Sequence, residues 1–343
     1  MIDRFAKSIL VFGLFMSTPC AWSQQKPEPV LRTEGPMVDI RLNKNRSLMA
    51  YTDQLGQSLR IMDMETQEIV EVTPHRVGPS FFWSPDGKRL FYRELIHDKK
   101  SVTSEIKAYD TFSEVNASID TVPGSTGYLT FDPRDFTVLA MHEKGITSKR
   151  LQFPGERLAR WQKRAKVELG RFVVTQKAVL WVNDMGLTLN ALSDDGSGVE
   201  SFDISPDGKL IAWTTRDFYV YVSEAGETPR VLGRGRDARW HSSKSLLLYS
   251  AARMVGPKAY DFDVRVSDRL GNGRYLTSTP EQAERWPQWW DDKSIIFTVQ
   301  NSTDLWKQSY EKDVALTASE GPENTGAATA KANPLHKMKT KPQ

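Results

Sequence analysis

The chain is 343 residues long and carries 46 Lys or Arg against 43 Asp or Glu, a formal net charge of +3. A dedicated nucleic-acid binder has a larger basic excess, so the composition predicts no nucleic-acid partner. The single cysteine excludes structural disulfides, Cys-ligated zinc and CxxC redox chemistry within the chain. The length allows one large all-β domain or two ordinary domains.

The first 23 residues have the parts of a secretory signal peptide. Two basic residues precede an apolar run at 9–16, and Ala21-Trp22-Ser23 closes the segment. The apolar run is too short to cross a bilayer, which takes roughly 20 residues. We expect cleavage before Gln24 and a periplasmic protein, with secretion from the cell as the alternative. Cys20 then leaves with the leader, because Ser17-Thr18-Pro19 is unlike a lipobox, and the mature chain has neither a cysteine nor a transmembrane segment.

An internal repeat organises the rest of the chain. Its clearest copies are Trp83-Ser84-Pro85-Asp86-Gly87-Lys88 and Ile204-Ser205-Pro206-Asp207-Gly208-Lys209, each between two short apolar segments. Proline presets its φ angle, Asp or Ser caps the turn, and Gly accepts a positive φ, so the motif reverses the chain between two strands. Weaker copies of the same pattern occur at 43–46, 131–135, 240–244 and 289–293.

The spacing of these repeats predicts the architecture. Apolar markers that end the second strand of each unit, from Tyr51 to Phe297, recur at a mean interval of about 41 residues. This period fits four-stranded propeller blades and fits neither helical solenoids nor βαβ units. The predicted fold is therefore all-β, a single β-propeller over residues 37–313 with seven blades preferred. Six blades is the alternative, because the fourth unit at 172–182 lacks the turn motif and Ala159-Arg160-Trp161 offers a competing register.

Three segments depart from the repeat pattern. Residues 24–36 contain three prolines and form a short N-terminal extension, whereas residues 314–343 are poor in large apolar side chains and form a disordered tail. A basic stretch at 149–171 carries eight Lys or Arg against two Glu. This stretch either meets an acidic component of the cell envelope or forms a charged blade edge that blocks aggregation.

The Trp-Ser-Pro-Asp-Gly-Lys and Ile-Ser-Pro-Asp-Gly-Lys units resemble the WD40-like (PD40) repeats in the propeller domain of the TolB family, over roughly residues 37–312. This resemblance implies a periplasmic propeller and partners such as peptidoglycan-associated lipoproteins. TolB proteins carry an α/β domain before the propeller. Because residues 24–36 are too few to form one, we expect this chain to lack that domain.

Motifs of covalent chemistry are missing from the sequence. There is no GxSxG elbow, Walker A sequence or Rossmann glycine pattern, and the five histidines show no HxH or HExxH spacing. The run Asp194-Asp195-Gly196-Ser197-Gly198 lacks the full EF-type spacing, so a flexible hairpin is favoured over a calcium site. We therefore expect no catalytic residue, no metal and no cofactor. The alternative is a small propeller enzyme, a lyase or hydrolase with a channel-lining active site.

The loops of one face favour binding. In a propeller, the loops that enter each innermost strand and those that join the second and third strands converge around the central channel. Two joining loops, 93–104 and 250–260, are long and predict an uneven rim. We predict a monomeric scaffold or adaptor that binds a periplasmic or outer-membrane-associated protein through this face. The candidate residues, each with a solvated loop role as its alternative, are His75, Arg76, Tyr128, Glu200, Arg236, Asp237, Glu284 and Arg285.

Overall fold

The structure is a computed structural model that describes residues 26–77, 81–98, 101–123, 128–142, 145–151, 170–183, 188–193, 196–254, 260–279 and 282–310. Several sequence predictions concern residues that lie outside these ranges. They concern the leader with Cys20, the tail at 314–343, most of the basic stretch, the competing register at 159–161 and the pair Asp194-Asp195.

The described residues form β-strands joined by turns and loops, and neighbouring strands pair antiparallel. Consecutive strands form meanders, which we number as units in chain order. Units 1 and 2 have four strands each, and the described residues give three strands each for units 3 and 4. Unit 1 contains β2 (Val38–Leu42), β3 (Leu48–Thr52), β4 (Leu59–Asp63) and β5 (Ile69–Thr73); unit 2 contains β6 (Phe82–Trp83), β7 (Arg89–Asp98), β8 (Ser101–Asp110) and β9 (Val115–Pro123); unit 3 contains β10 (Leu129–Asp132), β11 (Thr137–His142) and β12 (Gly145–Arg150); unit 4 contains β13 (Arg171–Val174), β14 (Val179–Val182) and β15 (Thr188–Ser193).

One long strand, β19 (Arg230–Trp240), belongs to two units. Its first half pairs with β18 as the outer strand of unit 5, and its second half pairs with β20 as the innermost strand of unit 6. Counted this way, the described strands form seven units, which is consistent with the preferred seven blades. Unit 5 also contains β16 (Val199–Ile204), β17 (Leu210–Thr215) and β18 (Tyr219–Glu224); unit 6 also contains β20 (Leu246–Met254), β21 (Tyr260–Asp268) and β22 (Gly273–Tyr275); unit 7 contains β23 (Glu284–Trp289), β24 (Ser294–Val299), β25 (Asp304–Ser309) and β1 (Glu28–Arg32).

The strand β1 brings the N-terminal part of the described chain into the same sheet as its C-terminal part. It lies within the predicted extension 24–36, and it pairs with β25 as the outer strand of unit 7. Leu31 from this strand is buried in a cluster with Met37 and Ile296, so the first and last units share one core. The extension therefore contributes to the last sheet of the repeat region.

The Ser-Pro-Asp-Gly turns form as the sequence predicts. The Ser84 hydroxyl donates to Asp86 at 2.5 Å and accepts the backbone N–H of Arg89 at 2.9 Å, while Gly87 has a φ of 74°. The turn at Ser205 repeats these contacts, with hydrogen bonds of 2.6 Å to Asp207 and 2.9 Å from the backbone of Leu210. The serine thus satisfies a backbone donor at the start of the second strand, which explains why this residue type stands there.

Apolar clusters lie between consecutive units all the way round. One cluster joins units 1 and 2 through Leu90 and Ile61, another joins units 5 and 6 through Val222 and Leu247, and the cluster around Leu31 joins unit 7 to unit 1. Further clusters join the remaining neighbours. Because the last unit packs on the first, the units form a closed ring, and burial of these faces is its main source of stability.

Three tryptophans fix the angle between neighbouring units. The indole N–H of Trp83 in unit 2 donates to the carbonyl of Arg41 in unit 1 at 2.9 Å. Trp240 in unit 6 makes the same contact with Asp203 in unit 5 at 3.2 Å, and Trp289 in unit 7 with Arg239 in unit 6 at 3.3 Å. These rings pack between units, beside the turns that follow the innermost strands.

The two long joining loops predicted at 93–104 and 250–260 are mostly strand. The strand β7 continues to Asp98 and β8 begins at Ser101, while β20 continues to Met254 and β21 begins at Tyr260. The prediction of long loops was wrong. Polar residues such as Glu94 and Glu105 interrupt the apolar pattern of the sequence, which suggests a loop. In the structure these two residues are cross-strand partners in an ordinary antiparallel ladder. The rim of the ring therefore carries protruding hairpins.

Candidate binding site

The innermost strands of units 1, 6 and 7 share a bulge near the mouth of the channel. Asp39, Asp237 and Trp286 each have a positive φ, of 51°, 58° and 48°, and each lies where the pairing with the next strand shifts register. A bulge bends the strand and redirects its side chains. Such strained positions in non-glycine residues concentrate at functional sites.

Ion pairs connect units that are not neighbours in the ring. Arg239 of unit 6 reaches Asp39 of unit 1, with 2.6 Å between Nη2 and Oδ1. Arg41 of unit 1 lies 3.5 Å from Asp203 of unit 5. Unit 7 separates the members of the first pair, and units 6 and 7 separate those of the second pair. Both pairs therefore cross the inside of the ring. The innermost strands are thereby tied together by charge as well as by packing.

Two further ion pairs lie closer to the ends at which the innermost strands begin. The guanidinium of Arg285 makes a two-pronged contact with Asp237, at 2.6 and 3.3 Å, and the backbone N–H of Trp286 donates to the same carboxylate at 3.1 Å. Arg236 lies 3.2 Å from Glu200. Four of the predicted candidates are therefore brought together by the ring.

Burial and charge act in opposite directions on these groups. Burial alone would raise the pKa of Asp237, but the paired Arg285 and the hydrogen bonds hold this pKa below its ordinary value. Burial raises the pKa of the Glu200 carboxyl and lowers the pKa of the Arg236 guanidinium. Asp237 is thus held as an anion by its partners.

Aromatic rings hold the guanidinium groups in a row. The Cζ atom of Arg236 lies 4.0 Å from the centre of the Phe218 ring, and that of Arg285 lies 4.3 Å from Trp286. Further out, Arg234 lies over Tyr219 at 5.0 Å and donates hydrogen bonds to the hydroxyls of Tyr219 and Tyr260. We call this set the arginine–aromatic row, and its members are Arg234, Arg236, Arg285, Phe218, Tyr219, Tyr260, Phe262 and Trp286.

The row runs from solvent into the ring. Arg234 is exposed, Arg236 is half-buried and Arg285 is buried. Exposed Met254 continues the surface outward, since it pairs in register with Tyr260. The row therefore offers both a buried anchor region and an accessible rim.

The other predicted candidates lie apart from the row. The Tyr128 hydroxyl donates to the carbonyl of Val199 at 2.8 Å, so this side chain supports the strand that carries Glu200. His75 is exposed and lies 3.7 Å from Glu94, and the carbonyl of Arg76 accepts the N–H of Leu95 on the same hairpin. These two residues belong to the rim of unit 2. The binding role of all eight candidates stays a prediction.

Glu284 points away from the row although it precedes Arg285. Its carboxyl accepts hydrogen bonds from the hydroxyls of Thr277, at 3.1 Å, and Thr279. Burial, together with the negative charges of Asp263 and Asp261, raises its pKa to about 8. The carboxyl is fully buried, so its environment is that of a protonated core acid.

Sequence reasoning missed Asp39, Arg41, Asp203 and Arg239, and most aromatic members of the row. A signal for the charged residues exists, because Asp-x-Arg occurs at 39–41 and again at 237–239. Each copy ends two residues before the residue that begins the turn after the innermost strand, which is Asn43 or His241. No comparable signal marks Phe218 and Phe262, since apolar residues at strand ends are ordinary in this pattern.

Arg171 is the last residue of the basic stretch 149–171, and the structure describes it. Its guanidinium pairs with Asp132 at 2.7 Å and with Asp135 at 2.8 Å.

Among the described residues, no group of three or more His, Cys, Asp or Glu is placed to hold a metal ion. In the same part of the chain, no helix has the length and apolar character needed to cross a membrane.

Comparison with known proteins supports the fold. No protein-family model and no curated protein matches the chain. Among solved structures, the β-propeller domain of Cps50 (Swd1) from Myceliophteria thermophila matches 83% of this chain and 100% of its own, at 9% identity and a TM-score of 0.51. The fold is a WD40-like β-propeller. This confirms the all-β prediction and the repeat resemblance at the level of the fold. TolB from Acinetobacter baumannii matches 73% of this chain and 56% of its own, at 15% identity and a TM-score of 0.47.

Proposed function

We propose that this propeller is an exported scaffold that binds a protein of the cell envelope through the channel face of units 5, 6 and 7. The observation that carries this proposal is the arginine–aromatic row. Arg, Tyr and Trp dominate the energetic centres of protein interfaces, where buried anchors are surrounded by a more accessible rim. The row combines these residue types with this gradient of burial.

The rigidity of the row supports binding. Its arginines lie on the strand β19 and at the start of β23, and aromatic rings cover their planar faces. A side chain that is already fixed loses less conformational entropy when a partner binds. The propeller thus presents an ordered surface, in contrast to a set of mobile loops.

The chemistry of the acids favours binding over catalysis. Asp237 accepts three hydrogen bonds from Arg285 and Trp286, and its pKa is held low, so it is a poor general acid or base near neutral pH. Glu200 is paired with Arg236. The carboxylates beside the row therefore serve to hold arginines in place.

Export rests on the leader at 1–23. We expect the protein purified from the periplasm of its native host to begin at Gln24, as read by N-terminal sequencing or intact mass. Recovery of the chain with Met1 in the cytosolic fraction would contradict export and leave the binding proposal to be tested separately.

Affinity capture tests the binding role. Tagged protein is cross-linked in its host envelope, purified and compared with two variants. Tyr260→Ala removes an aromatic member of the row, and Phe112→Ala removes a side chain that is 94% exposed on unit 2. We expect one or more envelope proteins to be recovered with the wild type and with Phe112→Ala, and several-fold less with Tyr260→Ala. Equal recovery with all three would contradict the assignment of the face.

A further inference from the structure

We propose that the segment recognised by the arginine–aromatic row is an acidic peptide, whose carboxylates bind the arginine edges. This inference rests on the proposed function and adds the chemistry of the partner. It is drawn from the exposed Arg234, from buried donors without acceptors and from the pairing of the nearby acids.

The outer end of the row carries a cation that forms no ion pair within the described residues. Arg234 is exposed and donates to two tyrosine hydroxyls, and no described carboxylate lies within ion-pair distance of it. A guanidinium has five N–H donors, so Arg234 keeps donors for a ligand.

On the innermost strands beside the buried end of the row, buried donors outnumber acceptors. The Nε atoms of Arg41, Arg236 and Arg239 are buried and make no hydrogen bond within the described structure, and the same holds for Nε2 of Gln288. The single matching acceptor on these innermost strands is Oε2 of Glu200. The Arg239 side chain is only 4% exposed, so its donor is well removed from bulk solvent. Buried donors without acceptors are unfavourable, so these strands carry polar groups that the contacts of the described residues leave unsatisfied.

The acids nearest the row are paired with its own arginines. Asp237 binds Arg285, and Glu200 binds Arg236. An incoming carboxylate therefore meets Arg234 as an exposed cation with which no described carboxylate pairs.

Aromatic stacking leaves the arginine edges for recognition. When a ring covers the planar face of a guanidinium, the N–H groups at its edge stay in the plane and can make a two-pronged contact with a carboxylate. Lysine would not give this geometry. The row thus suits glutamate and aspartate side chains, or a C-terminal carboxylate, more than it suits a neutral or basic peptide.

A peptide selection tests this inference. A phage-displayed library of random 12-residue peptides is selected on the purified full chain, and binding of enriched peptides is measured at low and physiological salt. We expect the enriched peptides to be net acidic and to bind more weakly as salt rises. For a representative peptide, Arg234→Gln should weaken binding about tenfold or more, the usual size for a lost charged hydrogen bond.

The matched control lies on the same strand. Arg230 is also exposed but lies at the far end of the pairing between β18 and β19, so Arg230→Gln should change binding less than about twofold. Enrichment of neutral or basic peptides, or equal losses for the two variants, would overturn the inference and leave the proposed function standing. Failure to enrich any peptide would count against both. Arg234-dependent binding to phosphatidylglycerol vesicles without peptide binding would assign the row to a lipid surface and overturn the acidic peptide.

Discussion

The two halves of the ring solve the same packing problem with different residues. The difference is clearest at one position of each innermost strand, two residues before the residue that begins the turn to the second strand. In units 2, 3 and 4 the residues there are Phe82, Thr130 and Val173, whereas in units 5, 6, 7 and 1 they are Asp203, Arg239, Gln288 and Arg41.

In the apolar half, neighbouring units hold each other directly. Phe82 of unit 2 stacks on Phe131 of unit 3 with 4.4 Å between ring centres, and the hydroxyl of Thr130 accepts the N–H of Val174 in unit 4. In the charged half, ion pairs such as Arg239–Asp39 reach past a neighbour. Buried ion pairs add little net stability compared with apolar packing, so stability alone does not explain the charged half. The proposed binding role would account for it.

The largest expected effect is in the charged half. Asp237→Ala leaves the buried guanidinium of Arg285 and the N–H of Trp286 without their acceptor. We expect the free energy of unfolding to fall by about 3–5 kcal/mol in urea denaturation. Asp304→Ala is the control, because its partner Arg32 is 77% exposed, and it should be hardly distinguishable from wild type. Similar losses for the two variants would contradict the view that the inner pair is desolvated.

A core change in the apolar half should affect stability alone. Leu129 is buried in the cluster between units 2 and 3, and Leu129→Ala should lower the free energy of unfolding by about 2–5 kcal/mol. Well below its melting temperature, this variant should capture the same envelope partner as the wild type. Loss of capture from a folded Leu129→Ala protein would break the division of roles between the two halves.

The buried acid between units 6 and 7 predicts a pH dependence. The pKa of Glu284 is raised from 4.5 to about 8, so the folded state binds more protons than the unfolded state between these two pH values. The contribution of Glu284 to the free energy of unfolding is therefore largest below pH 4.5. It falls as the pH rises toward 8, by at most about 1.4 kcal/mol per pH unit. Asp263, Asp261 and Arg253 face this group, and the pKa of Asp263 is also raised by burial.

Urea denaturation at pH 6.5 and 7.5 measures this slope. Glu284→Gln keeps the shape of the side chain and removes its titration, so we expect the fall in stability between the two pH values to shrink in the variant. An unchanged slope would show that other groups cause the pH dependence.

The turns should not distinguish the two halves. Ser84 lies in the apolar half and Ser205 in the charged half, and their hydroxyls make the same contacts with Asp and with the backbone. We expect Ser84→Ala and Ser205→Ala each to lower the free energy of unfolding by about 1 kcal/mol. A difference between them larger than this would mean that the turns are coupled to the charge network on one side.

The sequence predicts the features that local physics determines. The Ser-Pro-Asp-Gly turns need particular residue types at particular φ angles, so the motif and its period of about 41 residues reveal the strands and the ring. The closing strand β1 carries no such motif. Its place depends on the distant β25, which a local pattern does not identify.

The site was only partly accessible to sequence reasoning for the same reason. Glu200, Arg236, Asp237 and Arg285 were found because they enter innermost strands, where a propeller brings loops together. The rings of Phe218 and Phe262 become part of the row because β18 pairs with β19 and β21 pairs with β20, and this juxtaposition is a property of the tertiary structure. Glu284 was predicted on the face but is buried beside Thr277, since neighbouring residues of a strand point to opposite sides.

Photo-cross-linking in the native host tests the central claim most directly. A photoreactive benzoylphenylalanine replaces Met254, which is 61% exposed beside the row, or Ile96, which is 40% exposed on the hairpin of β7 and β8 in unit 2. Both sites are accessible and apolar, and both lie on the hairpin that joins the second and third strands of a unit, so they differ mainly in the half of the ring that they report. We expect irradiation to link an envelope protein at position 254 and none at position 96. Cross-linking at 96 alone would contradict the assignment of partner binding to the charged half.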